Sequence, residues 1–410
     1  MKLKAGILPL ALSICLIMAA LCSALLLLSY YHNISQVDYR IRQQLKHNVE
    51  SGIAYCLATP KGSSTEILQD WGLIQLFENQ EDSIFIKRSL WGIFELAQVK
   101  AIKGRWTESR TAFLGVLPDA MPALYISDQQ RPIQIAGDAK ITGDAFLPEA
   151  GIRAGYINRQ GYGKSQLIFG EVKKSSPTLP ALNTKANDLE GWLRNAVTSA
   201  TIEEISADTF FTFSANEYKV YTSNKLVRVY QALRGQLIIY STKEVIVEPE
   251  AKLEKIIIYA PKITIKRGFI GNLQVFASDT LFIEDNVELL YPSAAGIITN
   301  QGSSLIEIGK GTHIAGHVFS IGQQAFNNQA IVKISSEADI SGSVYANGFV
   351  ELSGEIKGSL SASKLLVQTS SATYENFLFN GKIDRNKLPD AFAFSSVFYS
   401  GKRTIVEWLQ

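Results

Sequence analysis

The residue types that most often carry out chemistry are few in this sequence and poorly grouped. Its 410 residues include 4 histidines. Two of them, His313 and His317, have the four-residue spacing of a metal-ligand pair on a helix. They lie instead in a repeat of strands and turns, where the equivalent positions of other copies are polar, so we interpret both as facing outward. We expect no metal site and no cofactor.

Acid–base, nucleophilic and phosphate-binding sites are equally unsupported. The sequence contains neither a Gly-x-Ser-x-Gly motif nor a phosphate loop, and the nearest imitation, GYGKS at 161–165, lacks the required spacing. Enzymes built on β-helices use carboxylates grouped on one face. The candidate aspartates do not share one column of the repeat: Asp138, Asp144, Asp279, Asp285 and Asp339. We therefore expect that the protein is not an enzyme, and a polysaccharide-active enzyme is the least favoured alternative.

Charge and cysteine content exclude two further classes of protein. Lys and Arg number 40 against 38 Asp and Glu, a net charge of +2, so no nucleic-acid partner is expected. The cysteines are Cys15, Cys22 and Cys56, which leaves the chain after residue 56 without disulfides or cysteine–metal sites.

The N-terminal segment predicts a membrane anchor at residues 1–31. After Lys2 and Lys4, residues 5–29 carry no charge, which exceeds the roughly 20 residues that a helix needs to cross a bilayer. The run is longer than the apolar core of a cleaved signal peptide, and it ends in leucines followed by two tyrosines. We predict that residues 5–29 lie in the lipid of the cytoplasmic (inner) membrane, with a cytoplasmic N-terminus and an extracytoplasmic body.

The helix is predicted to continue beyond the membrane and to meet a small β-sheet. Apolar residues recur at steps of three and four as far as Leu57, and the next strong helix breaker is TPKG at 59–62. Residues 67–117 alternate in short apolar runs separated by turns, which predicts an antiparallel meander. We assign residues 32–120 to an amphipathic helical continuation and a small α/β head.

The start of the chain is similar to a known class of envelope protein. The residues that carry the likeness are the basic start ending at Gly6, the apolar run from Ile7, and ESGIA at 50–54. Residues 1–58 resemble the N-terminal region of type IV pilin-like proteins, especially minor pilins and pseudopilins. The resemblance implies cleavage between Gly6 and Ile7 and a subunit-packing helix face at Glu50 and Gly52. A plain signal anchor with a helical stalk is the alternative.

The rest of the chain contains an internal repeat. Five gapless copies share the spacing apolar, any, apolar, five residues, apolar, three residues, apolar or small. The copies are Ile133/Ile135/Ile141/Ala145, Val245/Val247/Leu253/Ile257, Leu281/Ile283/Leu289/Ser293, Ile306/Ile308/Ile314/Val318 and Val332/Ile334/Ile340/Val344. A compressed copy follows at Val350, Leu352, Ile356 and Leu360, and glycine precedes the last position by two at Gly143, Gly316, Gly342 and Gly358. Alternating strands joined by glycine turns predict a β-solenoid; an antiparallel sandwich is the alternative.

The predicted fold class is therefore mainly β, with an N-terminal transmembrane helix, a small α/β head, and an irregular β-solenoid with a helical insertion. We predict a first solenoid-like segment at 121–182, a helical insertion with connecting strands at 183–240, the main solenoid at 241–370, and a cap at 371–410 that shields its open end. The helix of the insertion is expected to begin at Asn187 or Asp188. Residues 240–370 resemble bactofilins and other polymer-forming β-solenoids of cell envelopes.

The favoured function is structural: a minor-pilin-like or scaffold component of a cell-envelope assembly, with other assembly subunits as partners. The alternative is a glycan-binding surface module. The aromatic residues that could form its binding face are Tyr156, Tyr162, Tyr259, Tyr291, Phe319 and Tyr345.

Overall fold

The computed structural model describes residues 7–58, 70–77, 82–182, 189–198, 201–202, 205, 209–213, 218–298, 304–321 and 330–409. These residues are mainly β, and their α-helices are α1 (Ile7–Ala58) and α2 (Leu189–Val197). The chain divides into a first unit, Met1–Arg88 with Gln98–Arg110, and a second unit, Ser89–Ala97 with Thr111–Gln410. The predicted fold class is confirmed.

The first unit combines the long helix with an antiparallel meander. The strands of the meander are β1 (Gly72–Ile74), β2 (Ser83–Trp91), β3 (Phe94–Lys103) and β4 (Trp106–Leu117), of which the last three also contribute residues to the second unit. In β2 the buried positions alternate, as they must where one face of a strand covers a core. The predicted turn at residues 103–105 is present, with Gly104 at a φ of 55°.

The second unit is built from short, mostly parallel strands. In chain order they are β5 (Leu124–Ile126), β6 (Ile133–Ala136), β7 (Lys140–Thr142), β8 (Ala145–Leu147), β9 (Ile152–Ala154), β10 (Tyr156–Ile157), β11 (Gln160–Gly161), β12 (Val172–Lys174), β13 (Thr201–Ile202), β14 (Thr209–Phe211), β15 (Lys219–Ser223), β16 (Val227–Val229), β17 (Ala232–Gly235), β18 (Leu237–Ser241), β19 (Glu244–Val247), β20 (Lys252–Ile265), β21 (Ile270–Ile283), β22 (Glu288–Ile298), β23 (Leu305–Ile308), β24 (His313–Ile321), β25 (Ala330–Ile334), β26 (Asp339–Leu352), β27 (Glu355–Gln368), β28 (Thr373–Glu375), β29 (Phe377–Phe379), β30 (Lys382–Asp384) and β31 (Lys402–Leu409). A 3-10 turn lies at Arg385–Lys387.

Buried side chains of successive coils stack in four ladders, which confirms the predicted solenoid and most of its columns. The first ladder is Val245, Ile263, Leu281, Ile306, Val332, Val350 and Leu365. The second is Leu289, Ile314, Ile340, Ile356, Ile383 and Ile141. The third is Ile258, Val275, Ala295, Val318, Val344, Leu360, Leu124 and Ala145. The fourth is Val247, Ile265, Ile283, Ile308, Ile334 and Leu352. All of these side chains are buried, so each coil closes the apolar face of the next.

Two positions in the last column of the predicted repeat differ from the observed register, each at an irregularity in the strand pairing. Lys255 has a φ of 62° and interrupts the pairing between β20 and β21, so Ile258 rather than Ile257 enters the third ladder. A second register shift in β22 places Ala295 in that ladder instead of Ser293. An inserted residue in one strand turns every later side chain to the opposite face until the register is restored.

Glycines at the repeated turn are required by the stacking itself. Gly316, Gly342 and Gly358 pair with one another in successive coils and have φ values between 146° and 149°. A Cβ atom at Gly342 would lie 1.9 Å from the carbonyl oxygen of Gly316 in the adjacent coil. The predicted glycine turn therefore reflects both an unusual φ and close backbone contact.

The order of coils in space differs from their order in the chain. Residues 121–182, predicted as a first solenoid segment, stack on the last coil: Leu124 pairs with Leu360, Ile141 with Ile383, and β12 adds to β8. A parallel ladder needs only an open edge and matching apolar columns, and these strands supply both. Strands β5, β7 and β8 thus lie at the end of the stack where the sequence predicts a cap at 371–410, while β30 is a rung and β31 pairs antiparallel with β4.

One outer face of the solenoid is covered by protein. Outward-facing Ile238, Ile257 and Phe276 pack beneath three coverings: the turn around Trp91, α2, and the tail that includes Phe398. Helix α2 supplies the buried side chains Leu189, Leu193 and Ala196. The predicted helix of the insertion is thus present, and its expected first residue, Asn187 or Asp188, lies outside the described residues.

Candidate functional site

The N-terminal half of α1 is the largest apolar surface in the described chain that no other described residue covers. Every residue from Ile7 to Val37 is exposed, and the buried residues of the helix begin at Leu45. By length and composition this helix could cross a membrane, and no second helix of the described residues could. The predicted anchor therefore coincides with surface that the described protein leaves bare.

Two hydroxyl groups inside the bare segment are hydrogen-bonded by the helix itself. Ser13 Oγ donates to the carbonyl oxygen of Pro9 at 2.8 Å, and Ser23 Oγ donates to that of Ala19 at 2.9 Å. A hydroxyl that bonds the carbonyl four residues earlier needs no water. Pro9 falls in the first turn, where its missing N–H costs nothing. The segment can thus enter hydrocarbon without leaving these hydroxyl groups unpaired.

The outer end of α1 is held to the meander of the first unit by a close contact at Gly52. This glycine is buried, and a Cβ atom there would lie 2.5 Å from Cγ1 of Val99. Gly52 therefore packs on the chain's own β3, and the subunit-packing face at Glu50 and Gly52 stays a prediction. Glu50 is half-exposed and lies 3.4 Å from Arg110 Nη1 and 3.7 Å from His47 Nδ1, so it too has partners within the chain.

A buried polar network fixes how α1 sits on the meander. Asn48 Nδ2 donates to Asp82 Oδ2 at 2.9 Å, and Lys103 Nζ lies 3.2 Å from the other carboxylate oxygen. Nearer the bare segment, the guanidinium of Arg42 stacks 4.2 Å from the ring centroid of Trp106. Hydrogen bonds of this kind specify one rotation and one height of the helix, since any slip leaves buried polar groups unpaired.

The predicted cleavage site straddles the edge of the described chain. Gly6 lies outside the described residues, and Ile7 is the first described residue, exposed at the start of α1. Ala11 is also exposed on the helix. With alanine at this position, the described part of the bare segment, from Ile7 to Val37, contains no Asp, Glu, Lys or Arg.

A second candidate site is a groove of about 560 Å³ on the second unit. A column of side chains in register runs along it, from Phe210 on β14 through Arg234 on β17 and Glu254 on β20 to Asn272 on β21. The opposite wall includes Glu407 of β31. Sequence analysis missed this groove, because β14, β20 and β31 are far apart in the chain.

Charges within the groove are paired with one another. Arg234 bonds Glu254, and Lys255 Nζ lies 2.7 Å from Glu254 Oε1 and 2.8 Å from Glu407 Oε1. Burial opposes the charge of Lys255, but hydrogen bonds to the two carboxylates outweigh it and raise the pKa of this lysine. Burial likewise opposes the charge of Glu254, and its bonds to Lys255 and Arg234 nevertheless lower its pKa.

His317, interpreted above as facing outward, faces away from the coil interior and is nevertheless buried. The tail of the second unit covers it, with Phe394 and Phe398 each 5.8 Å away between ring centroids. Its Nε2 accepts from the backbone N–H of Ser395 at 3.0 Å, and Nδ1 lies 2.7 Å from Ser343 Oγ. Burial lowers the pKa of His317 to about 3, so the ring is neutral at pH 7.

His313, the other member of the spaced pair, is exposed and lies 3.8 Å from Asp339. The two histidines are thus in different surroundings. Within the described ranges no group of three or more His, Cys, Asp or Glu is placed to hold a metal ion.

Most of the aromatic residues considered for a glycan face are covered. Tyr259 and Phe319 are buried in the cluster under α2 and the tail. Tyr291 donates to the carbonyl oxygen of Ala393, and Tyr345 donates to that of Pro180. Tyr156 is exposed on β10, and Tyr162 directly follows β11, the strand that pairs with β10.

Comparison with known proteins gives a weak likeness to a solved structure. No protein-family model matches the sequence, and no curated protein is similar to it. Among solved structures the chain is similar to the competence-associated pilin ComZ from Thermus thermophilus, with 10% identity and a TM-score of 0.22 over 83% of this chain and 86% of that one. A TM-score of this size does not establish a common fold.

Proposed function

We propose that the protein is a membrane-anchored structural component of a cell-envelope assembly, built on the plan of a minor pilin. The observation that carries the proposal is the division of α1: exposed from Ile7 to Val37, then packed on a small antiparallel sheet from Leu45 onward. A helix that is apolar on all sides needs lipid or other apolar helices around it.

The energetics favour a bilayer or a helical bundle as the surroundings of the bare segment. Burying one large aliphatic side chain is worth about 1.5–3 kcal/mol. Large apolar side chains recur all around this segment, among them Leu8, Leu16 and Leu25. Left in water, such a surface would drive aggregation, so a stable protein must place it in lipid or against other subunits.

Cleavage after Gly6 would let the same helix lie first in the bilayer and later in a bundle with the helices of other subunits. Before cleavage, Lys2 and Lys4 hold the N-terminus on the cytoplasmic side. After cleavage, the helix begins at Ile7 and no acidic residue stands at Ala11 to pair with a neighbouring subunit. Such a subunit suits the start or the cap of an assembly better than its bulk.

The strand at one end of the solenoid, β12, is unsuited to pairing with a second copy, which favours a role as a single subunit over self-polymerisation into a filament. Strand β12 adds to β8 and its residues are exposed. Its lysines are held in ion pairs, Lys173 with Glu171 and Lys174 with Glu149. Charged side chains on an exposed edge disfavour pairing with another chain.

The first test is N-terminal sequencing of the protein purified from its native membrane. A start at Ile7 is the expected result for a pilin-like subunit, and replacing Gly6 by leucine should then leave the leader in place. A start at Met1 or Lys2 in the unaltered protein would contradict pilin-like processing and leave a plain signal anchor.

The second test concerns orientation. A reporter that is active only in the cytoplasm, fused after Gln410, should be silent, because the basic residues precede the single apolar span. The matched control is the same reporter fused to a chain in which Lys2 and Lys4 are replaced by glutamine and two lysines are added after Tyr31. Activity in the unaltered fusion would reverse the proposed topology.

A further inference from the structure

We propose that the groove of the second unit binds an uncharged oligosaccharide. This inference goes beyond the proposed assembly role and does not depend on it. It rests on three properties of the groove: its internal charge pairing, its exposed apolar walls, and a shielded carboxylate oxygen that lacks a partner.

The charge pairing selects against a charged ligand. Arg234 is bound to Glu254, and Lys255 lies between Glu254 and Glu407. An anionic ligand would have to compete with the carboxylates for these cations, and a cationic ligand would have to displace them. A neutral ligand can instead accept from the outer guanidinium N–H groups and donate to the carboxylates while every ion pair stays in place.

The apolar walls suit the flat faces of sugar rings. Phe210 is 52% exposed at one end of the groove, with the guanidinium of Arg234 6.0 Å from its ring centroid. Ile270 and Leu290 are exposed large apolar side chains that line the groove farther along. Sugar rings present C–H groups on their faces and hydroxyl groups at their edges, so they match a site with apolar faces and a polar column.

One polar atom in the wall of the groove has no hydrogen-bond partner among the described residues. Glu407 Oε1 is held by Lys255, but its Oε2 is shielded from solvent and has no hydrogen-bond partner among the described residues. A shielded carboxylate oxygen without a donor is costly, and a ligand hydroxyl would supply one. Glu407 also lines a smaller neighbouring pocket of about 180 Å³ that shares Phe210 and Arg234, which lengthens the surface open to a chain of sugars.

The size of the groove sets the length of ligand that it can hold. Its volume of about 560 Å³ lies within the usual range for ligand sites and accommodates a few sugar units. The column follows the stacking direction of the coils, which are about 4.8 Å apart. An extended oligosaccharide lying along this direction would meet Phe210, Arg234, Glu254 and Asn272 in succession.

The test is isothermal titration calorimetry on the full chain in a detergent without sugar headgroups. The probes are cellohexaose and chitohexaose, which are neutral, and hexagalacturonate, which is anionic. We expect at least one neutral probe to bind with a Kd between about 10 µM and 1 mM. Binding should change less than about twofold between low and high salt, because no net charge is involved.

Variants tie the binding to the groove. Phe210→Ala should weaken binding at least about tenfold, the loss of one aromatic contact. Glu407→Gln should weaken it as well, because an amide that keeps its oxygen on Lys255 presents an N–H donor where the carboxylate presented its second acceptor oxygen. The matched control is Tyr156→Ala, which removes an exposed ring outside the groove and should leave the Kd unchanged. Circular dichroism verifies that each variant is folded.

Three outcomes would overturn the proposal. The first is that neither neutral probe binds at millimolar concentration. The second is that hexagalacturonate binds more tightly than both neutral probes with a strong salt dependence. The third is that Phe210→Ala and Tyr156→Ala, both folded, change the affinity equally. None of these outcomes bears on the N-terminal sequence or the orientation of the anchor, so the assembly role is tested separately.

Discussion

Helix α1 and the solenoid use the same apolar residue types in opposite ways. From Ile7 to Val37 the leucines and isoleucines of α1 all face outward. In the second unit the isoleucines, valines and leucines of the ladders are fully enclosed, each stacked on its neighbour in the next coil. Apolar content alone therefore does not distinguish a surface that faces lipid from one that is buried in a protein core. The spacing of the apolar residues is more informative. An unbroken apolar run is typical of a helix in lipid, and strict alternation is typical of a strand that covers a core.

The largest effect is expected from a charge placed in a ladder. Ile308 is fully buried and stacks between Ile283 and Ile334. Ile308→Asp should lower the free energy of unfolding by more than about 4 kcal/mol, because it leaves an unpaired carboxylate in a dry stack. Urea unfolding measures the change. The control is Glu307→Gln, one position along and exposed, which should change stability by less than about 0.5 kcal/mol; equal losses would refute the inward assignment of the column.

A methyl group at the repeated turn should have the next largest effect. Gly342→Ala puts a Cβ atom at a φ of 146° and 1.9 Å from the carbonyl oxygen of Gly316, so we expect a loss of about 2–4 kcal/mol. The control is Gly191→Ala in α2, where a Cβ atom meets nothing within 4 Å and alanine favours the helix. Thermal unfolding compares the two. If Gly342→Ala proved as stable as Gly191→Ala, the close stacking of coils would be wrong.

A charge placed in the bare half of α1 should reduce membrane insertion and leave the stability of the solenoid unchanged. Leu16→Arg costs about 3 kcal/mol in membrane insertion at the centre of a span. We expect a larger fraction of the protein to leave the membrane pellet, with the urea midpoint of the solenoid unchanged. Lys243→Ala, an exposed change in the second unit, should leave the partition as it is. A Leu16→Arg protein that stayed in the pellet would argue against a transmembrane role for this segment.

The smallest of these effects is a pH dependence that comes from His317. Its pKa in the folded chain is about 3, below the ordinary value of 6.5, so the unfolded chain binds the proton first as pH falls. The contribution of His317 to the free energy of unfolding is therefore complete above about pH 6.5. Below that pH it decreases by at most about 1.4 kcal/mol per pH unit. Nearby Tyr345 and Tyr399 have raised pKa values and do not titrate in this range.

Urea unfolding at pH 7, 6 and 5 measures this slope. His317→Gln should flatten it. A slope that survives in His317→Gln would assign the pH dependence to carboxylates instead.

What the sequence predicted well is local. The alternation of Val332 and Ile334 and the spacing to Gly342 are set within one coil, so they can be read from one copy of the repeat. The continuous apolar run of α1 is likewise a property of consecutive residues. Such patterns report which side of a strand or helix is apolar, and that is enough to predict the elements.

What the sequence did not predict depends on distant partners. Nothing near Ile141 says that it stacks on Ile383 instead of on the next coil in the chain, because both offer the same apolar edge. The burial of His317 depends on Phe394 and Phe398 in the tail. The groove forms only where β14, β20 and β31 meet, and these strands are far apart in the chain. A small residue such as Gly52 indicates close packing, but the sequence does not show that its neighbour is Val99.

The most direct test of the central claim, that the bare half of α1 lies in a membrane while the solenoid lies outside it, uses the chain's own thiols. Cys15 and Cys22 are exposed on the bare segment, and Cys56 is buried at the outer end of α1. In intact native membranes a membrane-impermeant maleimide should label neither Cys15 nor Cys22, and both should react after denaturation in SDS. A cysteine introduced at the exposed Lys243 should be labelled from the extracytoplasmic side. Labelling of Cys15 and Cys22 in sealed membranes, at the rate seen for residue 243, would contradict the account.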